Sequence, residues 1–338
     1  LRSIHRPTVL LALQPELAAT FFSASVRDQL EESCELIASP DPSWHLNPSV
    51  LPHLERADAI ITGWRTAPVD GEVLERAPKL RAIIHSAGSV RGFVTPEVYE
   101  RGIEISSQAW VNALPVAEYA LAMILLAGKG VLPSERTYRG SRIAPDPIVL
   151  LADRGNYRRT VGVIGASFVG RRVIELLAPF DFEVLLYDPT VDELDAAALG
   201  VRPVDLDELL SASDIVSLHA PLIPETHGMI DARRLALLRD GATFINTARG
   251  AIVDTAALVA ELDRGRLHAV LDVTEPVVLP QDHDLWDSPN LTLTPHVAGA
   301  FGNELHRLGQ AVADEVDRLA QGTPLQHAVP REHFAVRA

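Results

Sequence analysis

The 338-residue sequence predicts an α/β protein built from two doubly wound parallel-sheet domains. Three observations carry that expectation. Short β-branched runs alternate with helical segments along almost the whole chain. The length is about twice that of an ordinary domain. Apolar residues make up 47%, enough for two sizeable cores, with no low-complexity segment and no repeat of fixed period.

In the first half, strands are expected at 8–13, 58–62 and 80–85, each bounded by turn residues, with helices at 17–32 and 69–77 between them. Residues 112–128 read as a long helix that is apolar nearly all round, hence buried against the chain itself or a partner copy. The polar segment 145–159, rich in Pro, Gly and Arg, reads as a loop entering the second unit. There the alternation is strict. Strand 160–165 leads to helix 169–179, strand 182–187, helix 206–211, strand 214–218, helix 231–238 and strand 242–246. Helix 255–264 follows, then strands 269–273 and 291–294, a helix over 303–321 and a polar tail.

Composition excludes several classes. The formal net charge of -15 attracts neither nucleic acid nor an anionic membrane. The single cysteine, Cys34, rules out an intrachain disulfide and a Cys-rich zinc site, and no pair or triad has metal-ligand spacing. The longest apolar run, 120–128, is too short to cross a bilayer, and no signal-peptide pattern opens the sequence. The expectation is a soluble cytoplasmic protein. Lys79 and Lys129 are the only lysines against many arginines, a bias associated with GC-rich bacterial genomes.

The segment from Val161 to Gly170 joins a strand to a helix and suits a dinucleotide. Gly165 permits the tight turn, and Gly170 lets helix and strand pack closely. The amide groups of Ser167, Phe168 and Val169 lie at a helix N-terminus, where partial positive charge favours a pyrophosphate. Ser167 takes the place of the middle glycine and is small enough for a phosphate to approach. Asp188, followed by Pro189, ends the next strand 18 residues beyond Gly170. An acid there accepts from both ribose hydroxyls and repels a 2′-phosphate, which favours NAD(H) over NADP(H). The plain alternative is a tight turn and a strand-terminal Asp with no cofactor.

Further segments extend this reading: Phe244-Ile245-Asn246-Thr247-Ala248-Arg249-Gly250, His219-Ala220-Pro221-Leu222-Ile223-Pro224-Glu225-Thr226, Leu271-Asp272-Val273, Leu293-Thr294-Pro295-His296-Val297-Ala298-Gly299 and Pro115-Val116-Ala117-Glu118. With them the chain resembles the D-isomer-specific 2-hydroxyacid dehydrogenase family, from about residue 8 to about residue 321. The resemblance implies a split, flavodoxin-like substrate domain, here 1–129 and 300–338. A Rossmann NAD-binding domain, 130–299, is inserted into it, with substrate in the cleft and a homodimer formed across the long helix. It implies hydride transfer between a nicotinamide and C2 of a 2-oxo or D-2-hydroxy acid. Arg249 would bind the carboxylate and polarise the reacting oxygen, because its planar fork pairs bidentately and stays charged. His296 would be the acid/base, its ordinary pKa lying near working pH. Ala87, Gly88 and Ser89 would offer amides to the carboxylate, and Asp272 would accept from the nicotinamide carboxamide. His219, Ala220, Pro221, Thr226, Thr247, Ala248 and Gly299 would line the cofactor.

Two departures stand out. The family places a glutamate 19 residues before the histidine, where this chain has Val277; Glu275, two residues earlier, is the alternative partner for the ring. Phe168 stands where the family often carries Arg. An imidazole without a carboxylate is less firmly oriented, so slow turnover of ordinary 2-oxo acids is expected, falling as pH rises above neutral. Trp64 and Arg65, at another strand end, either shape substrate choice or are a core Trp with a surface Arg. Two other functions compete: an NAD-binding regulatory member without turnover, and formate-type oxidation, which transfers no proton to an oxygen.

Overall fold

A computed structural model describes residues 6–38, 51–288 and 290–334; the polar tail beyond 334 lies outside the described residues. The chain divides into two compact units, Leu1–Asn112 with Ala300–Ala338, and Ala113–Gly299.

The first unit holds a five-stranded parallel sheet of β1 (Thr8–Leu11), β2 (Glu35–Ala38), β3 (Ala59–Thr62), β4 (Ala82–His85) and β5 (Glu104–Ser107), in the order β2-β1-β3-β4-β5. That is the flavodoxin-like order. Alternate side chains feed two cores, as the period of two requires. Val9, Leu11, Ile61 and Ile84 pack with Phe21, Phe22 and Leu308 on one face. Leu10, Ile60 and Ile83 pack with Val73, Leu74 and Val98 on the other.

Sequence reading overlooked β2 and β5. β2 is a half-exposed edge strand, and β5 is Glu-Ile-Ser-Ser, with little β-branched character. The single helix expected over 17–32 is two, Pro15–Phe21 and Ala24–Ser33. The Ser23 hydroxyl accepts from Val26 N and starts the second, and the break buries both Phe21 and Phe22. The helix expected over 69–77 shortens to Gly71–Arg76, capped by Asp70 accepting from Val73 N.

Helix Leu305–Gln321 carries a buried carboxylate, Glu315, which accepts from Ser106 Oγ (2.6 Å), Gln326 N (2.9 Å) and His327 N (2.8 Å). It joins β5 to the chain end. Glu315→Ala strands the buried Ser106 hydroxyl and two part-buried backbone donors and should cost about 2–4 kcal/mol, read as a lower denaturation midpoint at unchanged slope. A midpoint equal to that of the unsubstituted protein would refute this tie.

The second unit holds seven parallel strands: β6 (Thr160–Ile164), β7 (Glu183–Tyr187), β8 (Arg202–Pro203), β9 (Ile215–Leu218), β10 (Thr243–Asn246), β11 (His268–Leu271) and β12 (Leu291–Leu293). Their order, β12-β11-β10-β9-β6-β7-β8, is doubly wound and reverses between β6 and β9. Such a reversal opens a crevice at the carboxyl ends of the strands. β8 escaped the sequence reading because it is two exposed residues ending in Pro.

The long helix spans Ala109–Gly128, starting before the expected 112. Its Ala117, Ala120, Ile124 and Ala127 pack with Val161, Val163, Val173 and Ile174. Most of it therefore belongs to the second unit, and the first unit ends at Asn112 rather than 129. Whole, this helix is longer than the apolar run 120–128, and its length and composition alone would suffice to cross a bilayer. Packing of Ala117, Ala120, Ile124 and Ala127 on the second sheet accounts for the apolarity of one face of this helix. The expected loop 145–159 contains one helical turn, Pro147–Leu150, capped by Asp146 and preceded by helix Val131–Ser141.

Candidate active site

The glycine turn lies between β6 and helix Phe168–Leu177. Gly165 has φ +95°, and a Cβ there would stand 2.6 Å from Ala220 N; a Cβ on Gly170 would stand 1.9 Å from Gly165 O. Both positions therefore require glycine. Ser167 caps the helix by accepting from Gly170 N (3.4 Å) and donates to His219 O (2.9 Å). Its hydroxyl is thus engaged with the loop after β9. Asp188, at the end of β7, accepts from Ala166 N (2.6 Å) and, on its other oxygen, from Thr190 N (2.8 Å) and Thr190 Oγ1 (2.6 Å). The turn itself holds the acid. Phe168 is 47% exposed and brings no cation. Cradle, helix terminus and strand-end acid fit a pyrophosphate and its ribose.

His219 is buried, its Nε2 lies 2.8 Å from Ser217 Oγ, and burial pushes its pKa down to about 3. It is therefore neutral at working pH. Thr247 Oγ1 stands 3.5 Å from its other ring nitrogen. Thr226 Oγ1 donates to Pro221 O (2.6 Å) and accepts from Ile223 N (3.0 Å), folding the 219–226 loop on itself.

Arg249, Asp272 and His296 follow β10, β11 and β12, three neighbouring strands. Asn246 shapes the first of these turns, accepting from Ala248 N (2.9 Å) and donating to Arg249 O (2.9 Å). Arg249 is exposed, with one guanidinium nitrogen donating to Ala248 O (2.7 Å). A Cβ on Gly250 would meet Thr274 C at 2.1 Å, so the Arg249 turn lies directly on the 274–275 backbone. Backbone bonds continue across the edge, from Asp272 N to Asn246 O (3.0 Å) and from His296 N to Asp272 O (3.0 Å).

The buried Asp272 carboxylate accepts from Thr294 Oγ1 (2.6 Å), Val297 N (2.8 Å) and Ala298 N (2.9 Å). It is engaged with the histidine segment, a role beyond the carboxamide contact that the resemblance implies. His296 is exposed with φ +57°, and no hydrogen bond joins its ring to a described residue. Val277 is 76% exposed, and Glu275 is also at the surface. Gly299 is half-buried. Asn246, Gly250 and Thr294 escaped sequence reasoning as site residues; Asn at a strand end, a ready local turn former, was the readable signal.

In the first unit, Ser107 Oγ donates to Ala87 O (3.2 Å) and also contacts Gly88 O. In trans peptides the next N–H points opposite each carbonyl, so the Gly88 and Ser89 amides face away from Ser107. Trp64 packs on Phe21 with ring centroids 5.4 Å apart but is 38% exposed and so is not a core Trp, while Arg65 is exposed with φ +64°. Among the described residues no cluster of His, Cys, Asp and Glu could hold a metal ion.

Residues 121–298 match the NAD-binding domain of the D-isomer specific 2-hydroxyacid dehydrogenases. The chain is 32% identical over 312 residues to a glyoxylate reductase of Korarchaeum cryptofilum, covering 91% of this chain and 93% of that one. It is 32% identical over 322 residues to a D-3-phosphoglycerate dehydrogenase of Mycobacterium tuberculosis, covering 93% of this chain and 57% of that longer protein. A phosphoglycerate oxidoreductase from Rhizobium etli shares 26% identity at TM-score 0.81, covering 96% and 99% of the two chains. The D-mandelate dehydrogenase of Rhodotorula graminis, at 24% identity and TM-score 0.78 over 97% and 98%, shares the fold. The chain therefore belongs to the D-isomer specific 2-hydroxyacid dehydrogenase family of NAD-dependent oxidoreductases.

Proposed function

We propose that this protein reduces a 2-oxo acid to its D-2-hydroxy acid, with Arg249 holding the carboxylate and carbonyl oxygen and His296 delivering the proton. One observation carries the reading. Arg249 and His296 follow parallel strands of one sheet, at the same strand end as the glycine turn and Asp188. Bound at that turn, NAD(H) supplies the hydride from its nicotinamide. Arg249 keeps its charge while negative charge grows on the reacting oxygen, so it stabilises the transition state more than the ground state. His296, exposed, can exchange its proton with that oxygen and then with solvent. The Gly88 and Ser89 amides of the first unit are proposed as further carboxylate donors. Asp188 is proposed to favour NAD(H) over NADP(H).

The test is NADH oxidation with glyoxylate, hydroxypyruvate, pyruvate, phenylpyruvate, 2-oxoglutarate and phosphonopyruvate at pH 6 and pH 8, with NADPH in parallel. Turnover of at least one acid, faster at pH 6 and with NADH, is expected. Val277→Glu places a carboxylate at an exposed position, where its charge meets no burial cost. It should raise the pH 8 rate several-fold relative to pH 6, a fraction of the roughly 10²–10⁴-fold that acid/base help supplies. Superimposable profiles would refute the account of His296. Binding of NADH without turnover of any acid would favour the second reading, a cofactor-holding regulator, which Val277 and a His296 ring with no hydrogen bond to a described residue support.

A cytoplasmic homodimer is part of the same proposal. The exposed apolar side chains of Tyr138, Ile143, Ile148 and Val149 lie on one stretch of the second unit, where a second copy would cover them. Sedimentation should then give twice the 36.7 kDa chain mass.

A further inference from the structure

His296 sits in left-handed backbone, which a residue with a Cβ adopts only when its surroundings impose it. Two residues supply those surroundings: His296 N donates to both Asp272 O and Thr294 O, each at 3.0 Å. Asp272 O accepts from His296 N, and the two Asp272 carboxylate oxygens accept from Val297 N and Ala298 N. The backbone N–H groups of three consecutive residues therefore converge on Asp272, and together they set the direction in which the His296 side chain leaves the backbone. The carboxylate is held in turn. Thr294 Oγ1 gives its single hydrogen to Asp272 (2.6 Å), so toward Tyr119, whose OH lies 2.8 Å away, it can only accept. Tyr119 thus donates to Thr294, and Thr294 donates to Asp272. Each bond polarises the next along a chain running from helix Ala109–Gly128 to the backbone of the proton donor.

We propose that Tyr119 is a positioning residue for His296, fixing the imidazole from its backbone through Thr294 and Asp272 in a chain with Val277 where a carboxylate would hold the ring. The inference rests on the dehydrogenase reading, since positioning matters only if His296 moves a proton. The phenol ring fills space that Phe fills equally well, so the hydroxyl alone carries the proposed role.

The test compares Tyr119→Phe with the unsubstituted protein, alone and in a Val277→Glu background. Hydrogen exchange of the Val297 and Ala298 amides is followed without cofactor, and kcat for glyoxylate, or the best acid of the panel, is measured with NADH. In Tyr119→Phe both amides should exchange at least several-fold faster and kcat should fall about 10-fold, with the Kd for NADH unchanged. In the Val277→Glu background the kcat loss should shrink to under about 3-fold, because the ring then has a second anchor. Thr294→Ala should repeat the Tyr119→Phe pattern and Thr294→Ser should restore it. Equal losses in both backgrounds, or unchanged exchange with unchanged kcat, would overturn the positioning role while turnover of the unsubstituted protein keeps the dehydrogenase reading. If the unsubstituted protein turns over no acid, that reading fails, and faster exchange in the variant then marks a structural tie only.

Discussion

Arg249→Gln should lower kcat/KM for a 2-oxo acid by about 10²–10⁴-fold while leaving the Kd for NADH within a factor of two. Asn246 fixes the backbone on both sides of Ala248, and the exposed guanidinium stands at the strand end, where it donates to Ala248 O. A neutral amide of similar length keeps one donor and loses the charge and the parallel second bond. Both kcat and KM should move, because the same group binds the carboxylate in the ground state and the oxygen in the transition state. Arg249→Lys should fall between, since a point charge cannot form the fork. Steady-state kinetics beside a fluorescence titration of NADH would show this; retention of more than a tenth of kcat/KM by Arg249→Gln would remove Arg249 from the mechanism.

The second large effect is expected at a residue with no functional group. Gly250→Ala places a methyl 2.1 Å from Thr274 C, 2.2 Å from Thr274 O and 2.4 Å from Glu275 N, all backbone atoms. No rotamer relieves such an overlap, so one segment has to move. Either movement shifts Arg249 or the loop bearing Val277. Overpacking of this kind costs about 1–3 kcal/mol, which for a domain of this size lowers Tm by roughly 3–10 °C. A displacement of about 1 Å at a positioning group can cost some 10²-fold in rate. Gly140→Ala is the control, because a Cβ there meets nothing within 4 Å. Calorimetry and kinetics on both variants would decide it, and a Gly250→Ala protein as stable and active as Gly140→Ala would contradict the close approach.

What could be read from the amino acids shares one property: the physical constraint is local. The turn from Val161 to Gly170 needs a left-handed residue and a residue without a Cβ within six positions, and both are visible as Gly165 and Gly170. Asp188 is visible because it ends a strand and precedes Pro189. The central strands are visible because burial on both faces demands unbroken apolar, β-branched runs such as those of β3 and β4. At the sheet edges the signal fades: β2 is half-exposed, β5 buries two serines in place of β-branched residues, and β8 is two exposed residues, so all three pass unnoticed.

The doubly wound class, the dinucleotide turn and, through the family resemblance, the candidate pair Arg249 and His296 are legible in the amino acids alone. Tertiary structure alone decided how that pair is held. Asp272 meets Val297 and Ala298 across 25 and 26 positions, and Tyr119 meets Thr294 across 175. Hydrogen bonds over such separations leave no periodicity in the chain, because a carboxylate, a hydroxyl or a missing Cβ acquires its partner only when distant segments are brought to one sheet edge. The same holds for the helix Ala109–Gly128: its apolarity is plain in the sequence, but that it packs on the second sheet is a fact of the fold.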